Sequence, residues 1–329
     1  MKFLLTEEQE AFTRSLGAML TAADTPAVAR SWAAGDPAPG DALWTRIAGA
    51  GVFALAVPEA YEGLGPLPVE LALAFVELGR HAVPGPLVET AAAAVLLAEL
   101  GDPGPVKRLL PDIASGEATA TLKLPGSGPY VLDADTATYV LVAGPEAEGR
   151  TFRLGIAPGY GPVRASADPT RRLAVPRPGG EVLAAGPDVA SAARRAGDWA
   201  RLATAAQSLG VGCALLERTV AHARRRTQFG AAIGSFQAVK HRLADTMIAL
   251  EFARPLLFGA ALSMAPADIA AAKVAAGEAA YTAARTALQI HGAVGYTEEL
   301  DLSLWLRKAR PLRDAWGTPA QCRATVLAA

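Results

Sequence analysis

The chain has 329 residues, 51% of them hydrophobic, and a formal net charge of −1. That length supports two or three cores rather than one, and so small a net charge gives no global field favouring nucleic acid or an anionic membrane. Two cysteines, Cys213 and Cys322, and four scattered histidines, His81, His222, His241 and His291, suit neither a disulfide framework nor a zinc site.

Residues 1–118 read as an N-terminal helical domain. Met1-Lys2-Phe3-Leu4-Leu5 meets Thr6-Glu7-Glu8-Gln9 at once, a capping pattern with no apolar h-region behind it. A helix start and a cytoplasmic protein are therefore expected, not a signal peptide. Asp41 to Gly51 holds Trp44, Ile47 and Ala48 at helical spacing, and Pro58 to Pro68 reads as a loop. Val69 to Leu78 reads as a helix stopped by Gly79, and Val88 to Leu100 as an alanine-rich helix. Within it, Ala91 to Leu97 is apolar but too short to span a bilayer.

Residues 119–187 change character. Ala120 to Leu124, Tyr130 to Leu132, Ala137 to Val142 and Thr151 to Ile156 are short β-rich runs separated by glycine and proline, which predict a small antiparallel β domain. Residues 188–329 return to helix. Trp199, Leu202, Ala206, Leu209, Cys213, Leu216 and Val220 trace one apolar face, and Phe236, Val239, Leu243, Met247 and Leu250 trace another beyond a glycine-containing turn. Ser235 is the expected cap of that second helix. Pro266 to Ile290 and a shorter helix after Thr297 complete a C-terminal four-helix bundle. The expected architecture is mainly α with a small β domain.

The turn between the two apolar faces carries Arg224-Arg225-Arg226-Thr227-Gln228-Phe229-Gly230. Basic residues at a helix C-terminus are favoured by the macrodipole alone, so a solvated helix end accounts for them without a ligand. A sharper reading makes Arg226 a guanidinium for a phosphate, with Gln228 adding an amide contact and Phe229 an aromatic wall.

Arg226 to Gly230, followed by Ile233-Gly234 and Phe236-Gln237-Ala238-Val239, resembles the signature of the acyl-CoA dehydrogenase flavoenzymes. Gln289-Ile290-His291-Gly292-Ala293-Val294-Gly295-Tyr296 is similar to a second block of that family. Leu5 to Gln9, Val57 to Gly65, Leu110 to Glu117 and Asp168 to Leu173 also resemble the family and fall in its order, so the likeness covers roughly four fifths of the chain.

The resemblance implies an FAD-dependent enzyme that removes two hydrogens from an acyl-CoA thioester, in which each FAD is shared between subunits. By analogy, Arg226, Gln228, Phe229, Gln237, Gln289, Gly292 and Ala293 would serve the adenine and pyrophosphate end of a partner's FAD. Ala293 stands where the family has a second glycine, a departure expected to hinder close backbone approach.

The ring-holding motif, Thr-Glu-Pro followed by Gly-Ser-Asp, is absent: Thr121 to Pro129 runs Thr-Leu-Lys-Leu-Pro-Gly-Ser-Gly-Pro. Both positions of the family's catalytic carboxylate lack one, holding Ala200 before Arg201 and Trp316 in Ala315-Trp316-Gly317-Thr318. Asp198 would sit about 200° round the helix from Ala200, so it reads as solvated surface or a helix-start carboxylate. Glu298 and Glu299 read as surface. No catalytic residue is assigned.

The resemblance thus points to the short, base-lacking subunit of a heteromeric acyl-CoA dehydrogenase of the steroid side-chain type. Its partner would be a longer homologue in an α2β2 heterotetramer, with acyl-CoA bound mainly by that partner and an electron-transfer flavoprotein as acceptor. Two alternatives remain: a self-sufficient homodimeric oxidoreductase with an unrecognised base, and a flavin-free scaffold or acyl-CoA-binding protein.

Overall fold

The computed structural model describes residues 4–100, 103–145 and 151–329. Met1 to Phe3, part of the N-terminal reading, lie outside them. The chain runs through helices α1 (Glu7–Thr21), α2 (Thr25–Ala33), α3 (Ala38–Gly49), α4 (Pro68–Arg80), α5 (Leu87–Leu100) and α6 (Pro103–Ser115). Strands β1 (Ala120–Lys123), β2 (Val131–Leu132), β3 (Tyr139–Pro145), β4 (Phe152–Ile156), β5 (Leu173–Ala174) and β6 (Glu181–Ala185) come next. The remainder is α7 (Pro187–Arg225), β7 (Thr227–Gln228), β8 (Ala231–Ala232), α8 (Gln237–Ser263), α9 (Pro266–His291), α10 (Leu302–Asp314) and α11 (Pro319–Leu327).

Two compact units emerge. One joins the described residues up to Pro26 with Ala72–Val83 and Thr204–Ala329; the other holds those within Ala27–Leu71 and Pro84–Ala203.

In the first unit the expected capping box opens α1. Gln9 N–H donates to Thr6 Oγ1 at 3.2 Å, and Thr6 N–H donates back to Gln9 Oε1 at 3.0 Å. Gly79, expected to stop a helix, lies inside α4 instead. Its role is proximity: a Cβ there would overlap the Gln207 carbonyl, and one on Gly210 would overlap the Val76 carbonyl and stand 2.8 Å from the Arg80 amide nitrogen. Two turns of α4 and α7 therefore touch backbone to backbone.

The same device repeats deeper in. A Cβ on Gly212 would lie 2.5 Å from Leu250 Cδ2 on α8 and 3.1 Å from Ala280 Cα on α9. α9 answers with a buried run of alanines, Ala276, Ala279, Ala280, Ala283, Ala284 and Ala287. Helices α8, α10 and α11 all pack on it. Its one buried cation, Lys273, donates from Nζ to the carbonyls of Leu312 and Arg313 at 2.9 Å each, where the end of α10 leaves acceptors without helical partners.

α8 departs from its expected pattern. Leu250 is buried, but Phe236 and Met247 are exposed, and Ile248, Phe252 and Leu256 form a second, exposed apolar face at steps of four. α8 is long and apolar enough to cross a membrane by length and composition, though Leu250, Ala253, Leu257 and Ala260 are packed inside the protein. Ser235 does not cap it. Phe236 holds the N-cap position, and the Ser235 hydroxyl donates to the Ala232 carbonyl at 2.7 Å.

In the second unit, the Trp44 indole stacks on Phe53 at 4.2 Å and donates to the Gly116 carbonyl at 2.9 Å. The sheet order is β1-β3-β4-β6. β3, β4 and β6 are antiparallel as expected, but β1 and β3 are parallel. The connection between them contributes β2 to a separate pair with β5, then re-enters beside β1 in the same direction. Neither β5 nor β6 carries a pattern that marks it in the sequence.

Asp133, fully buried after β2, accepts the Arg172 N–H at 3.0 Å. Burial raises its pKa to about 7 despite that bond and the Arg172 guanidinium. Arg172 also pairs with Asp135 at 3.2 Å and stands 4.9 Å over the Trp32 ring.

Gly210→Ala tests the backbone contact. It should lower stability by about 1–3 kcal/mol, because the obstructing atoms are main chain and cannot swing aside. Thermal unfolding would measure it; an unchanged melting temperature would show that α4 and α7 have slack at this point.

Candidate functional site

The site is built where α7 and α9 end, both in the first unit. After Arg225 the Arg226 N–H still closes on the His222 carbonyl at 2.9 Å, and Ile233 N–H donates to the Arg226 carbonyl at 2.8 Å. β7 and β8 pair Thr227 with Ala232 and Gln228 with Ala231. The tip, Phe229-Gly230, takes left-handed backbone at φ 54° and 77°. Glycine does so freely, whereas for phenylalanine that conformation costs on the order of 1 kcal/mol. Gly234 brings this hairpin against α7: a Cβ there would stand 3.0 Å from the Ala223 carbonyl oxygen.

The side-chain donors of the hairpin lie on its outside. Arg226 and Gln228 are exposed, and neither side chain has a hydrogen bond or ion pair among the described residues. Phe229 is 95% exposed, touched edge-on by Phe236 with ring centroids 6.4 Å apart. Gln237 begins α8, also exposed.

At the other helix end, Gln289 is exposed and Gly292 closes α9 at φ 65°. A Cβ on Gly292 would meet nothing within 4 Å, so the backbone is open to approach from outside. Ala293 is not among the residues with positive φ, so alanine brings no backbone strain there. A 3-10 turn spans Gly292–Tyr296.

The two blocks lie some sixty positions apart in sequence, and His222 and His291 connect them. Their rings stack with centroids 4.0 Å apart and planes at 28°. His222 escaped the sequence reading because one histidine four residues before Arg226 looks like part of a helix face. Burial lowers the pKa of His222, and His291, Arg226 and Arg225 lower it further. Burial also lowers that of His291, against the opposing pull of the Ala287 carbonyl.

Outward-facing guanidinium and amide donors, an exposed aromatic face and an unobstructed glycine backbone fit the phosphate and adenine portions of a dinucleotide.

No carboxylate stands at either position named for a base. Ala200 is buried, and Trp316 occupies the turn between α10 and α11 at φ 56°. Asp198 is not the solvated carboxylate expected. It is half-buried and bonded to Arg201 at 2.6 Å, with burial raising its pKa against the pull of that arginine. Glu298 is exposed and paired with Arg307.

Residues 6–117 match the acyl-CoA dehydrogenase N-terminal domain and residues 190–329 the acyl-CoA dehydrogenase C-terminal domain. Acyl-CoA dehydrogenase IpdE2 of Mycobacterium tuberculosis is 34% identical over 92% of this chain and 91% of that protein. Among solved structures, the ChsE4-ChsE5 complex from Mycobacterium tuberculosis superposes with a TM-score of 0.84 at 25% identity, covering 100% of this chain and 98% of that one. A Tcur3481-Tcur3483 steroid ACAD variant gives 0.84 at 25% identity, covering 98% and 97%.

Arg226→Ala should change the free chain's stability by no more than about 0.5 kcal/mol, since the side chain is exposed and makes no contact that holds the fold. A melting temperature lowered by several degrees would assign Arg226 to the fold instead.

Proposed function

This chain belongs to the acyl-CoA dehydrogenase family, and we propose that it is the base-lacking subunit of a heteromeric member, lending Arg226, Gln228, Phe229, Gln237, Gln289, Gly292 and Ala293 to FAD held mainly by a longer partner. FAD is the family's typical cofactor, and when bound it accepts the hydride that leaves the β carbon of an acyl-CoA thioester. One observation carries the proposal. The donors suited to the far end of the dinucleotide are intact and outward-facing, while both base positions hold residues that cannot take a proton, Ala200 and Trp316.

Several features support a partner. Phe229 is held in left-handed backbone with almost its whole ring in solvent, an arrangement that costs the isolated chain and suits a ligand arriving from outside. Ile248, Phe252 and Leu256 expose a continuous apolar face on α8, of the kind that marks a protein contact. Relatives known as two-chain complexes fit the same reading. A bulky, steroid-derived acyl group as substrate, and an electron-transfer flavoprotein as acceptor, extend the proposal by analogy.

The residues of this chain bind and orient. Arg226 offers a planar fork to phosphate oxygens, Gln228 and Gln289 offer amides, and Phe229 offers a face for a purine ring. Proton removal from the α carbon is left to the partner.

Co-expression with the longer homologue tests this. The complex should carry flavin and the α2β2 mass; a colourless complex, or flavin and turnover in the isolated chain, would overturn it. In the complex, Arg226→Ala should weaken FAD retention about tenfold or more, the cost of a charge-assisted contact, read by flavin fluorescence on dilution.

The isolated chain should have no dehydrogenase activity, and Trp316→Glu should not supply any. A base must lie within hydrogen-bond reach of its proton, and the family's ring-holding motif that would place the thioester there is absent. Removing the partner's catalytic glutamate should lower turnover of the complex by about 100-fold or more. Activity surviving that change would point to a base in this chain, and Asp198 would be the first residue to replace.

A further inference from the structure

Neither His222 nor His291 belongs to the donors assigned above, yet both stand between them. We propose that the His222–His291 stack is a positioning contact that holds the Arg226–Gly230 hairpin and the Gln289–Ala293 turn in the relative placement a bound dinucleotide requires, and that it yields when the imidazoles become charged. This rests on the reading of the corner as an FAD contact.

The geometry gives each ring a defined duty. His291 Nδ1 is 2.8 Å from the Ala287 carbonyl, so Nδ1 carries a proton and the ring plane is fixed by its own helix. His222 has no side-chain hydrogen bond among the described residues; its ring is oriented by the face of His291 at 4.0 Å. Its carbonyl in turn accepts the N–H of Arg226 at 2.9 Å, one helical turn on. His222 thus belongs to the last turn of α7, from which the Arg226 guanidinium projects, and the stack ties that turn to the end of α9.

Charge decides when the contact holds. The groups acting on His222 are His291 from α9 and Arg226 and Arg225 from its own helix end; none is a carboxylate. Burial disfavours the charged form of both rings, and a neutral pair makes an aromatic stack favourable. Below the ordinary histidine range, near pH 6.5, protonation sets cation against cation with no nearby anion to offset it. Retention of the dinucleotide should then fall with the pH, although an imidazolium by itself would attract phosphate.

The experiment uses the complex with the longer homologue and reads FAD dissociation by fluorescence between pH 5.5 and 8. The melting temperature is followed in parallel. His222→Ala should weaken retention about three- to tenfold at pH 7.5, the worth of an aromatic contact. His222→Phe, which stacks but cannot ionise, should restore wild-type retention at pH 7.5 and flatten its decline below pH 6.5. His222→Gln, neutral at every pH, should weaken retention and flatten the decline too, and serves if the alanine variant fails to assemble.

Retention unchanged in His222→Ala or His222→Gln, or retention that rises on acidification in the wild type, overturns the proposal. If Arg226→Ala still weakens retention, the failure is confined to the stack. If Arg226→Ala has no effect either, the reading of the whole corner fails with it.

Discussion

The unit that holds the candidate site depends on how closely backbone can approach α7. Gly210 admits the main chain of α4, and Gly212 admits both a leucine of α8 and the backbone of α9. At Gly210 and on the α9 side of Gly212 the facing atoms are main chain, which has no rotamers with which to adjust, whereas the Leu250 methyl on the α8 side belongs to a flexible side chain. The alanines of α9 extend the same logic, since a helix faced with methyl groups sits near its neighbours and fixes their axes. This constraint sets where the C-terminal ends of α7 and α9 come out, and the hairpin and turn just beyond those two ends make up the site.

The site itself spends some of the stability that this packing supplies. A phenylalanine in left-handed backbone and an apolar face of α8 in water both disfavour the free chain slightly. In a subunit that presents its surface to a neighbour's cofactor, those costs are recovered on assembly. The base positions need no such explanation, because Ala200 and Trp316 leave nothing there to titrate. The asymmetry between a retained cofactor surface and absent base chemistry is what separates this reading from that of a decayed enzyme.

In the second unit, buried charge is arranged differently. Asp133 has no exposed surface, one short bond to the Arg172 amide and a pKa near 7, while Arg172 is shared among Asp133, Asp135 and the Trp32 ring. Removing a carboxylate from water costs more than one imperfect ion pair returns, so the pKa of the aspartate is raised into the physiological range. The cluster joins β2, β5 and α2 by direction-dependent contacts where the β pairing is only two residues long.

The fold class, most helix spans, the capping box at Thr6 and both blocks of the candidate site were legible in the amino-acid sequence alone. The helices and the cap are written in local chemistry, apolar spacing and a cap residue three before a glutamine, whereas the two blocks were marked by their resemblance to a family, since arginines at a helix end read by themselves as solvated surface. The absence of a carboxylate at positions 200 and 316 was equally legible, since identity alone shows it. Features that depend on a neighbour emerged only in the folded chain. Gly79 reads as a helix stop until α7 is seen pressing on it, and Asp198 reads as surface until Arg201 and burial claim it. The parallel pairing of β1 with β3 depends on where β2 finds its partner, which strands of two residues cannot announce. The apolar face of α8 looked single because periodicity counts residues, not the surfaces that cover them. His222 became a candidate only when the fold laid its ring on His291, since a stacking contact between two helix ends has no signature in either helix.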